Sequence, residues 1–459
     1  MDEHFAVVDV GATNTRVVLL DHNLREVASR KTETRHLPGP PYLHIDSETL
    51  LAFVRGAIVE LDAIRPVSTI SVSAFGATIA CLDCDGRLVL PVMDYLAEAP
   101  ADVDEGYSRI APPFSEVFSV TSPGALTLGK QLFWLETAYP EAFARIASVL
   151  PWSGYIAHCL GGELANEVSN LGVFTHLLDV KTGDWSSLAR ARGWDRLFPP
   201  RRAAWDVIGT FPGLRGKGDI LTGIHDSNAN WLRYMAGQGG NFTLVSTGTF
   251  VIGLDSGGDL AGLDPDCDTF SFTDIFGRPV ACARFYGGYE LNKLLDGVPI
   301  ASASLAGLAA VIANGSFALP AFSDTGGPIA NRGKRGRIIG AAAASPELRA
   351  SLAILYYALM VDQMLGSLRS GATILIDGPA AQSPLIPGLI AALRPSQPVL
   401  TSAQSEGTTL GAGVLARMKG TGQLPHLASA LIPQPALALN SLHSYRDRWL
   451  DIIRQDPAI

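Results

Sequence analysis

Twice along this chain an apolar run enters a short turn of glycine and threonine and leaves it as a second apolar run ending in Leu-Asp. The first copy is VVDVGATNTRVVLLD, Val7 to Asp21, and the second is LVSTGTFVIGLDS, Leu244 to Ser256. Aliphatic and β-branched residues on both sides of each turn specify paired strands, so two separate regions open with the same strand–turn–strand unit. A hairpin needs only a two-residue bend. These turns are richer in hydroxyls, amides and small residues, which leave backbone N–H groups open without Cβ obstruction. Each alone also reads as a tight hairpin; as a pair facing across a cleft they could clasp a polyphosphate from both sides.

The chain has room for two such regions. Its 459 residues are 47% hydrophobic and 17% charged, enough for two cores and too apolar for disorder. The domains are expected at 1–238 and 239–459, with GQGG at 237–240 as the hinge. A net charge of -9 leaves no electrostatic footprint for nucleic acid or an anionic membrane, which points to a small-molecule partner. The start, MDEHFAVVDV, carries acids where a signal peptide needs a basic stretch, and no uninterrupted apolar run approaches a membrane span. A cytoplasmic protein is expected, with a homodimer left open. Five scattered cysteines argue against a disulfide framework, and Cys81 and Cys84 form a lone CxxC without a second pair.

Between the motifs, LREVASRKTET reads as a third strand and 46–64 as a helix with a polar start. TISVSAF and ATIACLDCDGRLVLPV return to strand, and 127–160 reads as helical with a break at Pro140. Further on, alanine-rich helices are expected at 302–313 and 345–369, followed by the strand ATILID and a helix through SPLIPGLIAAL.

Acids mark the candidate chemistry. Asp9 lies just before the first turn, where Ser246 stands in the second; a carboxylate there could hold Mg²⁺ through water or simply cap its own turn. In GIHDSNANWLRYM, Asp226 opens a helix-like run and reads either as an N-cap or as a base that accepts a hydroxyl proton during phosphoryl transfer. His225 either contacts substrate or is structural. No GxxxxGK[ST] is present and no GxGxxG opens a helix, so P-loop and Rossmann sites are disfavoured. The small residues of ILIDGPAAQSP and SEGTTLGAGVLARM either pack closely or admit a flat ring. The basic NRGKRGR loop, Asn331 to Arg337, reads as solvated surface or as a phosphate approach.

Taken in order, DVGATNTR, SAFGATIACLDCDGRLVLPV, FWLETAYPEAF, GIHDSNAN, STGTF and EGTTLGAGVLA resemble the FGGY carbohydrate kinases, members of the actin, hexokinase and heat-shock ATPase fold group. The resemblance covers nearly the whole chain. It implies an α/β fold of two actin/ribonuclease H-like domains with an ATP and sugar cleft between them. It further implies Asp226 as catalytic base, Asp9 as a Mg²⁺ holder, and Gly11, Thr13, Asn14, Thr15, Gly248 and Thr249 around the ATP phosphates. Gly378, Ala380 and the segment from Glu406 to Gly411 would flank adenosine, and Gly76, Ala77, Asp94, Tyr95, His225 and Asp226 would line the sugar site.

The chain departs from the family in two places. Asp377-Gly378-Pro379 replaces a run of glycines on the adenine side, and PVMDYLAEAP lacks the Trp and Arg that often flank the acid near the sugar. The remaining pattern resembles rhamnulose and fuculose kinases, and the small apolar stretch Ala74 to Ala80 could receive a methyl terminus. Two other readings stand beside the kinase: an actin-like switch that hydrolyses ATP, and a sugar sensor without turnover.

Overall fold

The computed structural model describes residues 3–122, 124–238, 240–330, 333–342, 345–402, 407–427 and 431–456. Among these the chain divides into two compact units. The first gathers Met1–Gly237, Ser271–Pro279 and Glu406–Ala428; the second gathers Gln238–Phe270, Val280–Ser405 and Ser429–Ile459. The division therefore falls between Gly237 and Gln238, yet two later segments, expected within 239–459, group with the first unit.

The first unit is built on a mixed sheet in the order Glu26–Glu33, Asn14–Leu20, His4–Val10, Val67–Ala74, Asp219–Leu221 and Val207–Thr210. The strands on either side of the first turn pair antiparallel, with Asp9 opposite Arg16. On its other edge His4–Val10 runs parallel to Val67–Ala74, which also receives Ile224–His225 in parallel. Alternation along the strands divides the core into two layers. Ala6, Val8, Val10, Val17 and Leu19 pack with the helix Ser47–Ile64 through Leu50, Leu51, Val54, Ile58 and Leu61. Phe5, Val7, Val18 and Leu20 pack on the opposite face with Ala229 and Leu232 of the helix Asp226–Gly237 and with Ala412, Leu415 and Met418 of the helix Gly407–Met418. Both faces are covered, which is why these strands read as nearly continuous apolar runs.

Two expected elements differ. Of the strand expected through ATIACLDCDGRLVLPV only Ile79–Leu82 forms, and beyond the Asp85-Gly86 turn Leu88 makes just an isolated bridge back to Leu82. The pattern over 127–160 is not helical throughout: Leu128–Ala138 and Pro140–Phe143 are helices, but Ser148–Pro151 is a strand paired antiparallel with Ile79–Leu82, and Trp152–Cys159 resumes as helix. The apolar residues of Ser148–Pro151 find a partner strand from far earlier in the chain, and that pairing overrides local periodicity. All five cysteines are free, Cys81 buried and Cys84 exposed.

The second unit repeats the plan. Phe242–Thr247 pairs antiparallel with Val251–Asp255 across the second turn and parallel with Thr373–Asp377 on its other side. Val399–Ser402 continues the sheet in parallel. Its central helix, Pro346–Ser367, is long and apolar enough by composition to cross a membrane, but 83% of its apolar window is buried inside the unit. Its buried Asp362 accepts a hydrogen bond from Arg394 Nε at 2.6 Å, so this core helix keeps its buried charge paired.

Candidate functional site

The first turn is held from behind. Gly11 N donates to Asn14 O at 2.9 Å, closing the bend. The carbonyl of Gly11 accepts from Thr34 Oγ1 at 2.8 Å, that of Ala12 from His36 Nε2 at 2.7 Å, and that of Thr13 from Thr34 N at 3.0 Å. In a trans peptide the N–H points opposite to the preceding C=O, so the amides of Ala12 and Thr13 face away from the 34–36 segment. Neither has a partner among the described residues. Thr13 and Asn14 are exposed on this turn. Such consecutive open amides suit an anion. Thr15 is placed otherwise than expected: it is wholly buried, and its hydroxyl shares a 2.9 Å bond with Thr34 Oγ1, so it braces the turn from inside.

Asp9 and Asp226 sit at the same end of the sheet. Asp9 is registered beside Ser73 on Val67–Ala74, and on the opposite edge of that strand His225 is registered beside Ala74, with Asp226 next in the chain. In parallel sheets the carboxyl ends of the strands are where ligands collect. Asp9 Oδ2 accepts a 2.8 Å bond from Thr409 Oγ1, a contact across 400 positions of sequence. Among the described residues no group of three or more His, Cys, Asp or Glu is set to hold a metal. One carboxylate still fits Mg²⁺, which draws most of its ligands from water and phosphate oxygens. The adjoining Ser73 Oγ is buried without a partner, a polar atom available to a water in such a shell.

Asp226 opens the helix Asp226–Gly237, where Oδ1 accepts from Ser227 N at 2.5 Å and Ser227 Oγ at 3.3 Å. Its side chain is still 32% exposed, leaving the carboxylate reachable. His225 Nε2 lies 3.4 Å from the same oxygen, and burial pushes the imidazole below its usual range although the carboxylate opposes this. The neutral ring can donate to Asp226 and fix its orientation. Space for that ring comes from Gly76: a Cβ there would lie 2.4 Å from His225 Nε2. Gly76 therefore makes room for His225. Ala77 is buried, and its carbonyl accepts from Gln131 Nε2 at 2.5 Å.

Tyr95 is half-buried beside Phe75, with ring centroids 5.5 Å apart. Its phenol is raised by burial and then by the carboxylates of Asp94 and Asp226, which places its hydroxyl in the field of both. Asp94 itself is wholly buried and joined to His36 Nδ1, so it too is committed away from the expected role. Behind His225, Ser169 Oγ accepts the His225 backbone N–H at 3.5 Å. Ser169 in turn donates its hydroxyl to Glu167 at 2.5 Å. Burial pushes the Glu167 carboxyl up to about 7 against the hydrogen bonds from Ser169 and Asn170.

The second turn has a different support. Gly248 and Thr249 are exposed. The Thr249 carbonyl accepts from Gly288 N at 3.1 Å and Tyr289 N at 3.4 Å, the first amides of the helix Gly287–Leu295. Thr247 Oγ1 donates to Asp377 O and accepts from Ala380 N at 3.0 Å. Gly378 has a φ of 83°, and a Cβ there would lie 2.1 Å from the Thr247 carbonyl. Gly378 and Ala380 thus lock directly onto the strand that enters the turn. Gly411 is buried, and a Cβ there would lie 1.6 Å from Ala229 O, so the glycine lets two helices of the first unit touch. Glu406 lies outside the described residues, as do Asn331 and Arg332. Lys334 and Arg337 of the basic loop pair with Asp324 and Asp456 at 3.2 and 2.7 Å, which favours the surface reading.

Four contributors escape sequence reading: Thr34, His36, Ser73 and Thr409. Ser73 and Thr409 lie inside recognised motifs, Ser73 at the head of SAFGATIACLDCDGRLVLPV without a role and Thr409 in the segment assigned to adenosine.

Comparison with known proteins bears on this arrangement. Residues 5–211 match the N-terminal domain of the FGGY family of carbohydrate kinases, and 239–424 match the carbohydrate kinase FGGY C-terminal domain. A carbohydrate kinase from Novosphingobium aromaticivorans has a crystal structure that superposes with a TM-score of 0.88 at 30% identity, covering 98% of this chain and 100% of that one. A xylulose kinase from Lactobacillus acidophilus, at 17% identity and TM-score 0.80, shares the fold over 99% of this chain and 97% of its own. Among curated relatives, L-fuculokinase of Escherichia coli K12 is 25% identical over 272 residues, a match that spans 54% of this chain and 56% of that enzyme. The two sheet-centred units are those of the actin and hexokinase fold group, and the chain belongs to the FGGY family of carbohydrate kinases.

Proposed function

We propose that this chain transfers the γ-phosphoryl group of ATP to a hydroxyl of a ketose, deoxyketose or related polyol, with substrates of the L-fuculose or L-rhamnulose type favoured. The observation that carries the reading is the placement of Asp9 and Asp226 at one end of one sheet, on either side of Val67–Ala74.

In this reading Asp226 accepts the proton of the sugar hydroxyl as its oxygen bonds to the γ-phosphorus and the bond to ADP breaks. The proton leaves late in a loose transition state, so orientation by His225 and the helix start matters more than high basicity. The turns bearing Thr13 and Thr249 hold phosphate oxygens, and Tyr95 contributes to the sugar side. Asp9, backed by Thr409, would hold Mg²⁺. Bound Mg²⁺ would offset charge on the phosphates. The likeness to L-fuculokinase supports the substrate lean, as does the missing Trp and Arg around Asp94.

A coupled assay of ADP release over ketoses and polyols tests the proposal. Release that requires sugar is expected, with deoxyketoses preferred over their hydroxylated counterparts by about 10-fold, since an apolar pocket discriminates only weakly. ADP formed equally without sugar would replace the kinase by an ATP-hydrolysing switch, and binding without turnover would replace it by a sensor. Preference for glycerol, D-xylulose or D-gluconate would overturn the substrate lean alone.

A further inference from the structure

His36 and Asp94 are joined in a way that defines their protons. The carbonyl of Ala12 can only accept, so His36 Nε2, which faces it at 2.7 Å, carries a hydrogen. On the other side of the ring, Nδ1 is in hydrogen-bond contact with Asp94 Oδ2. Two bare acceptors would repel there, so that position holds a proton as well. The Asp94 side chain is 0% exposed and its second oxygen accepts from Leu96 N at 2.8 Å, while the ring is 28% exposed. A buried carboxyl group is costly without partners, and His36 and Leu96 supply them. Asp94 thus fixes the ring from one side while its other nitrogen holds the Ala12 carbonyl.

We propose, resting on the nucleotide-binding reading of the first turn, that His36 is a positioning residue for phosphate: it holds the Ala12 carbonyl back so that the Thr13 amide faces the nucleotide. Asp94 acts through His36 rather than by touching sugar. Thr34 holds the neighbouring carbonyls of Gly11 and Thr13, and the three bonds together set the direction of the turn's amides.

The full chain and its variants are titrated with a non-hydrolysable ATP analogue plus Mg²⁺, and separately with adenosine, which has no phosphate. His36→Ala is expected to weaken the analogue about 10-fold, the scale of one hydrogen bond, and to leave adenosine unchanged. Asp94→Asn should weaken the analogue in the same direction and leave the KM for the ketose selected by the ADP-release assay unchanged. His36→Gln keeps a donor for Ala12 without the ring held by Asp94, so it should recover part of the loss; its thermal melt guards against a folding defect in the alanine variant. Unchanged analogue affinity in His36→Ala, an equal loss for adenosine, no recovery in a folded His36→Gln, or an Asp94→Asn effect confined to sugar KM would each overturn the proposal. Failure of the unmutated chain to bind the analogue would remove the nucleotide reading itself, an outcome distinct from all of these.

Discussion

At the first turn, Gly11 to Asn14, side chains and backbone of residues 34–36 hold three successive carbonyls from behind, and an acid stands two positions before the glycine. At the second, Gly248 and Thr249, the support is the start of a helix whose amides reach one carbonyl, and the corresponding position is Ser246. The same strand–turn–strand pattern thus serves two mechanical designs. The first is assembled from side chains and borders both candidate acids. The second is assembled from close backbone approach: a Cβ at Gly288 would lie 2.2 Å from the Gly248 carbonyl oxygen. Under the proposed function, chemistry would be concentrated where side chains do the holding, with the second turn as a rigid rest.

The largest expected effect tests that concentration. Asp226→Asn should keep the fold and nucleotide binding but lower kcat by roughly 10² to 10⁴, the usual share of general-base catalysis. Turnover near the unmutated rate would remove the base from the first unit and with it the asymmetry. Rigidity comes next. Gly288→Ala should cost about 1 to 3 kcal/mol of stability, as overpacking against backbone does, and weaken the ATP analogue. Gly11→Ala should cost less, because its Cβ would meet Asn14 O at 3.1 Å and a small shift accommodates it. Thermal melts giving equal losses would erase the contrast between an adaptable and a rigid turn.

The acid itself is tested by Asp9→Asn, expected to raise the Mg²⁺ needed for half-maximal activity by about 10-fold or more. Ser246→Ala should leave that requirement alone. If neither variant shifts it, Asp9 is only a turn cap; if both do, the contrast between the two positions is lost. The smallest effects are those of the exposed hydroxyls. Thr13→Val and Thr249→Val keep β-branched shape and should each weaken the analogue by about 1 kcal/mol in calorimetric titration, the net worth of one hydrogen bond. Unchanged affinity in both would leave the two turns as plain hairpins.

What could be read from the sequence followed local rules. Both strand pairs, the helix Ser47–Ile64 and the core helix Pro346–Ser367 announce themselves through periodicity and caps. Asp9 and Asp226 stand out because carboxylates beside apolar strands need a reason. Long-range partnerships leave no such mark. Nothing near Thr34 or His36 signals that they reach back to Gly11–Thr13, and Thr15 looks like another turn hydroxyl until its partner is seen to be Thr34. Gly76 and Gly411 illustrate the same limit. A glycine reports that space is needed, but only the fold shows that His225 and Ala229 take it. Ser148–Pro151 was obscured because its partner, Ile79–Leu82, lies far earlier in the chain.

The bond from Thr409 to Asp9 has a consequence for how the molecule is made. The partner of Asp9 is synthesised 400 positions later, about 20 to 80 s afterwards at ordinary elongation rates. Throughout that interval the sheet can pair, but the face of Phe5, Val7, Val18 and Leu20 lacks the helix Gly407–Met418 that covers it. The nascent first unit thus carries an unfinished apolar face until that helix is made. Its acid-bearing edge is complete only once Thr409 has been synthesised.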